Sequence, residues 1–341
     1  MLIRGLIIGK VLTLVVVGGL FWWMVRIGVF RVAYSASNQS SNIASTTAMS
    51  TFQAVTDIPS GSFNYGGSTA WAPIRQLVDS QIQSDRPEMQ LRYINPANGS
   101  PGSSSGIRML LDGQLDFAQS SRPLTDEEYA IARQQGLTLE QRPVGIDGIA
   151  VVVNHSLKVP GLTVDQLQQI YRGKLTNWRQ VGGPDLPITP FSQRPEDADI
   201  AIFSEKSVLP KQPFGSNVQY IYSTTEALRK VSTIPGGLYY ASARTVVPQC
   251  SVKPLPLGST SNQLIPPYRE PLVPQQQCQR QRNQLNTKAF KNGSYPISSN
   301  LYVIIKQNQG RSQQAGVAYA TLLLTDQGQK AIEQAGFLRL R

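Results

Sequence analysis

The chain is poor in the residues on which most enzyme chemistry relies. Its 341 residues include one histidine, His155, and two cysteines, Cys250 and Cys278. Neither cysteine stands in a C-x-x-C pair or beside the histidine, so no metal-ligand pattern is present. There is no G-x-x-x-x-G-K-[ST] and no G-x-G-x-x-G after a predicted strand, which leaves nucleotide binding without support. Carboxylates are scattered; Asp197 and Asp199 are close in sequence, but nothing marks them as an acid/base pair. The stretch Gly102-Ser103-Ser104-Ser105-Gly106 fits the G-x-S-x-G of a nucleophile elbow. A serine hydrolase also needs a base, and His155, in Asn154-His155-Ser156, reads as an exposed loop residue. The chain is therefore read as a non-enzyme that needs no cofactor and no metal.

Charge is also scarce. Charged residues are 16% of the chain and hydrophobic ones 40%, which excludes a charge-rich disordered chain. The length suggests about two domains with a sizeable core. The net charge of +11 is uneven: Arg4, Lys10, Arg26 and Arg31 precede the first acid, and only Glu270 interrupts the basic stretch from Arg229 to Arg311. Such a field concentrates anions. No nucleic-acid motif or set of stacking aromatics lies among these basic residues, so no nucleic-acid partner is expected.

Residues 11–25 form an unbroken apolar run flanked by Lys10 and Arg26, with Trp22 and Trp23 where an interfacial aromatic belt would lie. The run is short of the ~20 residues of a full span. Snorkelling of Lys10 and Arg26 extends it to residues 6–30. Residues 1–31 are thus read as a signal anchor, or as a signal peptide cleaved near Ala33-Tyr34-Ser35. Either places the folded part on the periplasmic or extracellular face, and the anchor would tether it to the plasma membrane. No cysteine follows the run, which argues against a lipidated anchor. Residues 32–60, rich in Ser, Asn and Thr, read as a flexible linker. In an exported chain, Cys250 and Cys278 are expected to close a disulfide around the Pro- and Gln-rich segment 250–284, read as a surface insertion.

From Phe63 on, predicted strands and helices alternate, without internal repeat. Ile74, Leu77, Val78 and Ile82 recur at helical spacing. Residues 149–153 are a continuous apolar run, as in a strand buried on both faces. Thr163 and Gln166 form a capping box opening a helix to Tyr171, and Gly336 ends the last helix, 326–335. This alternation predicts an α/β fold with a parallel sheet and a ligand outside the carboxyl ends of its strands. Three loops at such ends carry small hydroxyl residues or an arginine: Ser68-Thr69, Ser103-Ser104-Ser105, and Ser120-Ser121-Arg122. A fourth, after the strand ending at Phe191, carries Arg194. Hydroxyls and unpaired N–H groups at helix starts suit an anion.

In these motifs the chain resembles the substrate-binding proteins of phosphate ABC transporters. The matching stretches are Gly67-Ser68-Thr69-Ala70-Trp71-Ala72-Pro73, Gly102 to Ile107, Asp116 to Leu124, Asp147 to Asn154, Ile170 to Trp178, Tyr295-Pro296-Ile297 and Gln327 to Ile332. The resemblance implies a two-lobed type II periplasmic-binding-protein fold with a hinge. Lobe I would be 61–147 plus 296–341, and lobe II 148–295 including the 250–284 insertion. It implies a monomer that binds phosphate or a related oxyanion between the lobes and serves an ABC permease or a sensor. Ser68, Thr69 and Ala70 would meet the anion through hydroxyl and N–H groups, Ser103 would donate its hydroxyl, and Arg194 would supply the charged contact. Two departures stand out. Asp197-Ala198-Asp199-Ile200 replaces the family's Gly-Ser-Gly-Thr turn, and Ser121 stands where the family often has an aspartate. The altered 197–200 turn and the unusual 250–284 insertion keep a second reading open: a binding-protein scaffold that has lost phosphate binding and serves an interaction or envelope role.

Overall fold

The expected alternation of strands and helices is present, but the sheet it builds is mixed. In the computed structural model, which describes residues 51–99, 101–194 and 214–340, β1 (Gly61–Gly67) leads into α1 (Ala72–Asp85), β2 (Met89–Tyr93), α2 (Ser103–Leu111) and β3 (Phe117–Ser120). There follow α3 (Asp126–Gln134), β4 (Leu139–Val153), β5 (Leu162–Thr163), α4 (Val164–Tyr171) and β6 (Thr189–Ser192). Next are β7 (Gln219–Tyr220), α5 (Thr224–Thr233), β8 (Gly237–Ser242), α6 (Ala243–Val246), β9 (Lys253–Leu255) and β10 (Leu257–Gly258). The described chain closes with α7 (Thr287–Lys291), β11 (Ser298–Lys306), α8 (Arg311–Leu324) and α9 (Asp326–Gln334).

The main sheet runs β2-β1-β3-β11-β4-β8-β6-β7, with β9 also paired to β4. Strands β2, β1 and β3 are mutually parallel, as are β8, β6 and β7. The expectation of a wholly parallel sheet fails at β4 and β11. The apolar run 149–153 is buried on both faces as expected, yet β4 is antiparallel to each strand it meets: β11, β8 and β9. Burial on both faces reflects cover above and below the sheet and carries no information about strand direction.

β4 also joins two lobes. From Leu139 to Gly148 it pairs with β11; from Ile149 to Val153 it pairs with β8. On the β11 side, lobe I is built around Phe63, Tyr65, Trp71, Ile74, Val78, Ile82 and Tyr319, with a second apolar cluster under α2. On the β8 side, lobe II is built around Val151, Val153, Tyr171, Trp178, Phe191 and Leu238. Burying each such side chain contributes about 1.5–3 kcal/mol, so each lobe has its own source of stability. The core of lobe I begins earlier than the composition implies. Phe52 and Val55, which composition places in the linker, are buried in it, and the Phe52 N–H donates to Gln327 Oε1 at 2.9 Å.

The capping box at Thr163 and Gln166 forms as expected. A second one, Thr125 with Glu128, opens α3, whose acidic first turn suits the helix N-terminus. Segment 250–284 is more than a surface loop: β9 extends the main sheet, β10 pairs with β5, and Val252, Leu255 and Leu257 are fully buried. Cys250 and Cys278 are joined. Among the described residues no helix is long and apolar enough to cross a membrane; the apolar segment at 6–30 lies outside them.

Closing the loop between the two cysteines restricts the unfolded chain by about 3–4 kcal/mol. A Cys250→Ser/Cys278→Ser double variant should therefore lose about 2–4 kcal/mol in urea unfolding. An unchanged midpoint would show that packing of the segment alone holds it.

Candidate functional site

The lobe I half of the candidate site is built where β1, α2 and β3 end or begin side by side. Gly67, at φ 127°, turns the chain out of β1, and a Cβ there would lie 2.1 Å from the Gln119 carbonyl oxygen. Gly106 in α2 packs directly on Gly67, where a Cβ would come within 2.4 Å of its Cα. This close packing of backbones carries Ser68, Ser103 and Ser121 to one point. The Ser68 and Ser121 hydroxyls share a hydrogen bond of 2.8 Å, and those of Ser103 and Ser121 one of 3.3 Å. The Ser121 N–H donates to Ser103 Oγ at 3.1 Å, and the Ala70 N–H to Ser68 Oγ at 3.2 Å.

All three serines are fully buried. They brace the three loops against one another, and Trp71 Nε1, donating to the Ser120 carbonyl at 3.1 Å, ties the same loops from below. Thr69 is exposed and Ala70 half-buried, and these two form the accessible edge of the group.

Thr69 and Ala70, with Ala72 and Pro73, form one wall of a cavity of about 250 Å³. The other wall comes from lobe II: Gln193 after β6, Thr224 at the start of α5, and Tyr239 to Ser242, Arg244 and Thr245 of β8 and α6. Hydroxyl pairs order this wall. Thr224 Oγ1 and the Tyr239 hydroxyl lie 3.1 Å apart, and Ser192 Oγ and the Tyr240 hydroxyl 2.8 Å apart. The cavity therefore lies between the lobes, with polar side chains on both sides.

Of the six residues expected at the site, five are thus gathered in lobe I, two of them facing the cavity. Arg194 is not brought to them. It adjoins Gln193 in the chain but is exposed, with its guanidinium carbon 5.3 Å from the centre of the Tyr220 ring. Asp197 and Asp199 lie outside the described residues. Arg122 is committed elsewhere: it forms a two-pronged ion pair with Glu128, at 2.9 and 2.6 Å, and donates to Ser104 Oγ at 2.8 Å. His155 contacts the Cys250 carbonyl at 2.9 Å in lobe II, so the G-x-S-x-G serine has no imidazole beside it. Among the described residues no cluster of His, Cys, Asp and Glu is placed to hold a metal ion.

Asp147 entered the sequence reading only as the start of a matching stretch, with no role of its own. It sits on β4 next to the change of partner, almost completely buried, and accepts a 2.6 Å hydrogen bond from Ser242 Oγ. Its Oδ2 has no partner. Burial pushes this carboxyl up to about 7, against the Ser242 hydrogen bond and the Arg244 charge, which pull it down. Ser242, Arg244, Thr224 and the tyrosine pair were missed as well. A lone carboxylate in the apolar stretch Gly145-Ile146-Asp147-Gly148-Ile149 is a signal that was available; for Arg244 there was none.

Comparison with known proteins agrees with this architecture. Residues 44–327 match the PBP superfamily domain. The phosphate-binding protein PstS of Staphylococcus haemolyticus is 24% identical over 279 residues, covering 80% of this chain and 79% of the relative. The crystal structure of an ABC-type phosphate transport receptor from Vibrio cholerae has the same fold, with a TM-score of 0.60, 21% identity, and 82% of this chain and 100% of that one covered. PstS from Borrelia burgdorferi aligns at a TM-score of 0.51 and 22% identity, covering 82% and 99%.

The buried Asp147 has a consequence for stability. Its folded-state value of about 7 exceeds the ordinary 3.8, so its contribution is fully present below 3.8 and is lost as pH rises through 7. Asp79, raised to about 6 by burial, acts in the same sense at lower pH. Between the ordinary value of 3.8 and about 7, Asp147→Asn should flatten the decline of unfolding free energy with pH, whose slope from one such group reaches about 1.4 kcal/mol per pH unit. An unchanged slope in urea titrations would contradict this placement.

Proposed function

Because the chain belongs to the PBP superfamily, we propose that it is a non-catalytic solute-binding protein that takes phosphate or a related oxyanion into the cleft between its lobes. The observation that carries this reading is the interlobe cavity, whose lobe I wall is the exposed edge of a loop cluster rich in hydroxyl and N–H groups. In this reading Thr69 and Ala70 make the first contacts, by hydroxyl and by N–H at the start of the turn into α1. Ser68, Ser103 and Ser121 hold those donors in position and give up internal hydrogen bonds as the anion seats. Donors fixed before the ligand arrives lower the ordering cost of binding. Gln193, Thr224 and Ser242 meet the ligand from the opposite wall.

Relatives of similar length carry names of phosphate-binding proteins, which supports phosphate as the first ligand to test. In the same reading lobe I is 61–147 plus 296–341 and lobe II is 148–295. Residues 6–30 hold the protein to the outer face of the membrane, and the monomer delivers its ligand to an ABC permease. The scaffold alternative drew on the turn at 197–200, which lies outside the described residues, and on segment 250–284; the similarity to phosphate-binding proteins supports ligand binding over it.

Titration calorimetry of the full chain with inorganic phosphate should show one-site binding in the micromolar range or tighter. Thr69→Val, which removes one hydroxyl and keeps the side-chain shape, should weaken it roughly 3- to 10-fold. Absence of heat up to millimolar phosphate would overturn the reading.

A further inference from the structure

We propose that Arg75 is a positioning residue for the Ser68-Thr69-Ala70 loop and sets the direction in which its N–H groups meet an oxyanion, a role that rests on the reading of the cleft as an oxyanion site. Arg75 lies in the first turn of α1, behind the loop, while Thr69 and Ala70 line the cavity. Its Nη1 donates to the Ser68 carbonyl at 3.3 Å and to Gln119 Oε1 at 3.1 Å. Its guanidinium carbon lies 3.9 Å from the centre of the Tyr93 ring, and the Tyr93 hydroxyl donates to the Gly67 carbonyl at 3.3 Å. The stacked pair therefore holds two successive carbonyls where the chain leaves β1.

A trans peptide is planar, with its N–H directed opposite its C=O. Holding a carbonyl thus fixes the N–H of the next residue. At Gly67 the carbonyl is on Tyr93, and the Ser68 N–H donates on the other side to the Gln119 carbonyl at 2.9 Å. At Ser68 the carbonyl accepts from Arg75 and from the Trp71 N–H at 3.2 Å, and the Thr69 N–H is turned away from Arg75. The Ala70 N–H, donated to Ser68 Oγ, is placed by the same residue.

The guanidinium is fixed in turn from the core of lobe I. The Tyr319 hydroxyl donates to Asp79 Oδ1 at 3.5 Å, so its oxygen receives Gln119 Nε2–H at 2.8 Å. That leaves Gln119 Oε1 as the acceptor facing Arg75. Asp79 also accepts from the Tyr65 hydroxyl. An arginine suits this place because its planar head serves acceptors in its plane while its face stacks on a ring.

The test is calorimetry of the full chain with inorganic phosphate at constant ionic strength. Arg75→Met should weaken binding about 10-fold. Tyr93→Phe, which keeps the ring under the guanidinium and removes only the hydroxyl, should weaken it about 2- to 5-fold. Arg75→Lys, which keeps the charge and loses the planar head, should fall between wild type and Arg75→Met. A role confined to the stability of lobe I would lower the urea midpoint and leave the affinity of the folded protein unchanged. The amide signals of Thr69 and Ala70 in nuclear magnetic resonance give a second readout: saturating phosphate should move both downfield in wild type, and by less in Arg75→Met. Affinity and amide shifts that Arg75→Met and Tyr93→Phe leave as in wild type would overturn this inference and leave the cleft reading standing. Full recovery of affinity in Arg75→Lys would do the same, since charge alone would then suffice. A wild-type protein that gives no heat up to millimolar phosphate would overturn both.

Discussion

The structure depends on one strand that serves both halves of the main sheet. β4 pairs with β11 through Gly148 and with β8 from Ile149 onward, so the backbone hydrogen bonds of both lobes run through a single continuous segment. Each lobe keeps its own apolar core, and β4 is the sheet element they share. Two bodies with separate apolar cores that share one strand are an arrangement in which hinge motion costs little packing. The crossover carries a buried carboxylate, Asp147, where an apolar residue would pack at less expense. Its hydrogen bond to Ser242 links the shared strand to the lobe II wall of the cavity.

The candidate site follows from the same frame. β1, β3 and α2 meet at Gly67 and Gly106, whose lack of side chains brings three serine hydroxyls into mutual contact. Because Ser68, Ser103 and Ser121 are buried and bonded to one another, they act as a brace, and the accessible chemistry lies one step outward at Thr69 and Ala70. The opposite wall is polar through hydroxyls and an amide and carries one guanidinium. Neutral donors and one guanidinium on facing surfaces are the chemistry that the proposed oxyanion site requires.

Much of this was legible in the sequence where a local rule decides. The spacing of Ile74, Val78 and Ile82 predicted α1, and the Thr163–Gln166 box marked the start of α4. The hydroxyl-bearing loops pointed to their convergence, because parallel strands place their ends on one side. Strand direction at β4 was not legible, since its apolar run reads the same in either orientation. α8 was missed because it buries Ala315, Gly316, Ala318 and Ala320, small residues that show weak hydrophobic contrast, and Gly316 packs directly on Ile305 of β11. The lobe II wall was hidden for another reason. Thr224, Ser242 and Arg244 lie in different elements, and only the pairing of β8 with β4 and β6 brings them to the cavity. Arg194 was expected from the family resemblance; in this structure its guanidinium lies beside the Tyr220 ring.

In the proposed reading, an anion bound in the cleft draws the two lobes together about the crossover in β4. Its most direct measurement is the distance between spin labels placed at Gln90 in lobe I and Arg229 in lobe II, read by pulsed electron resonance with and without inorganic phosphate. The account predicts that saturating phosphate shortens and narrows the distance distribution. A distribution unchanged by phosphate, in protein shown by calorimetry to have bound it, would contradict closure about that strand.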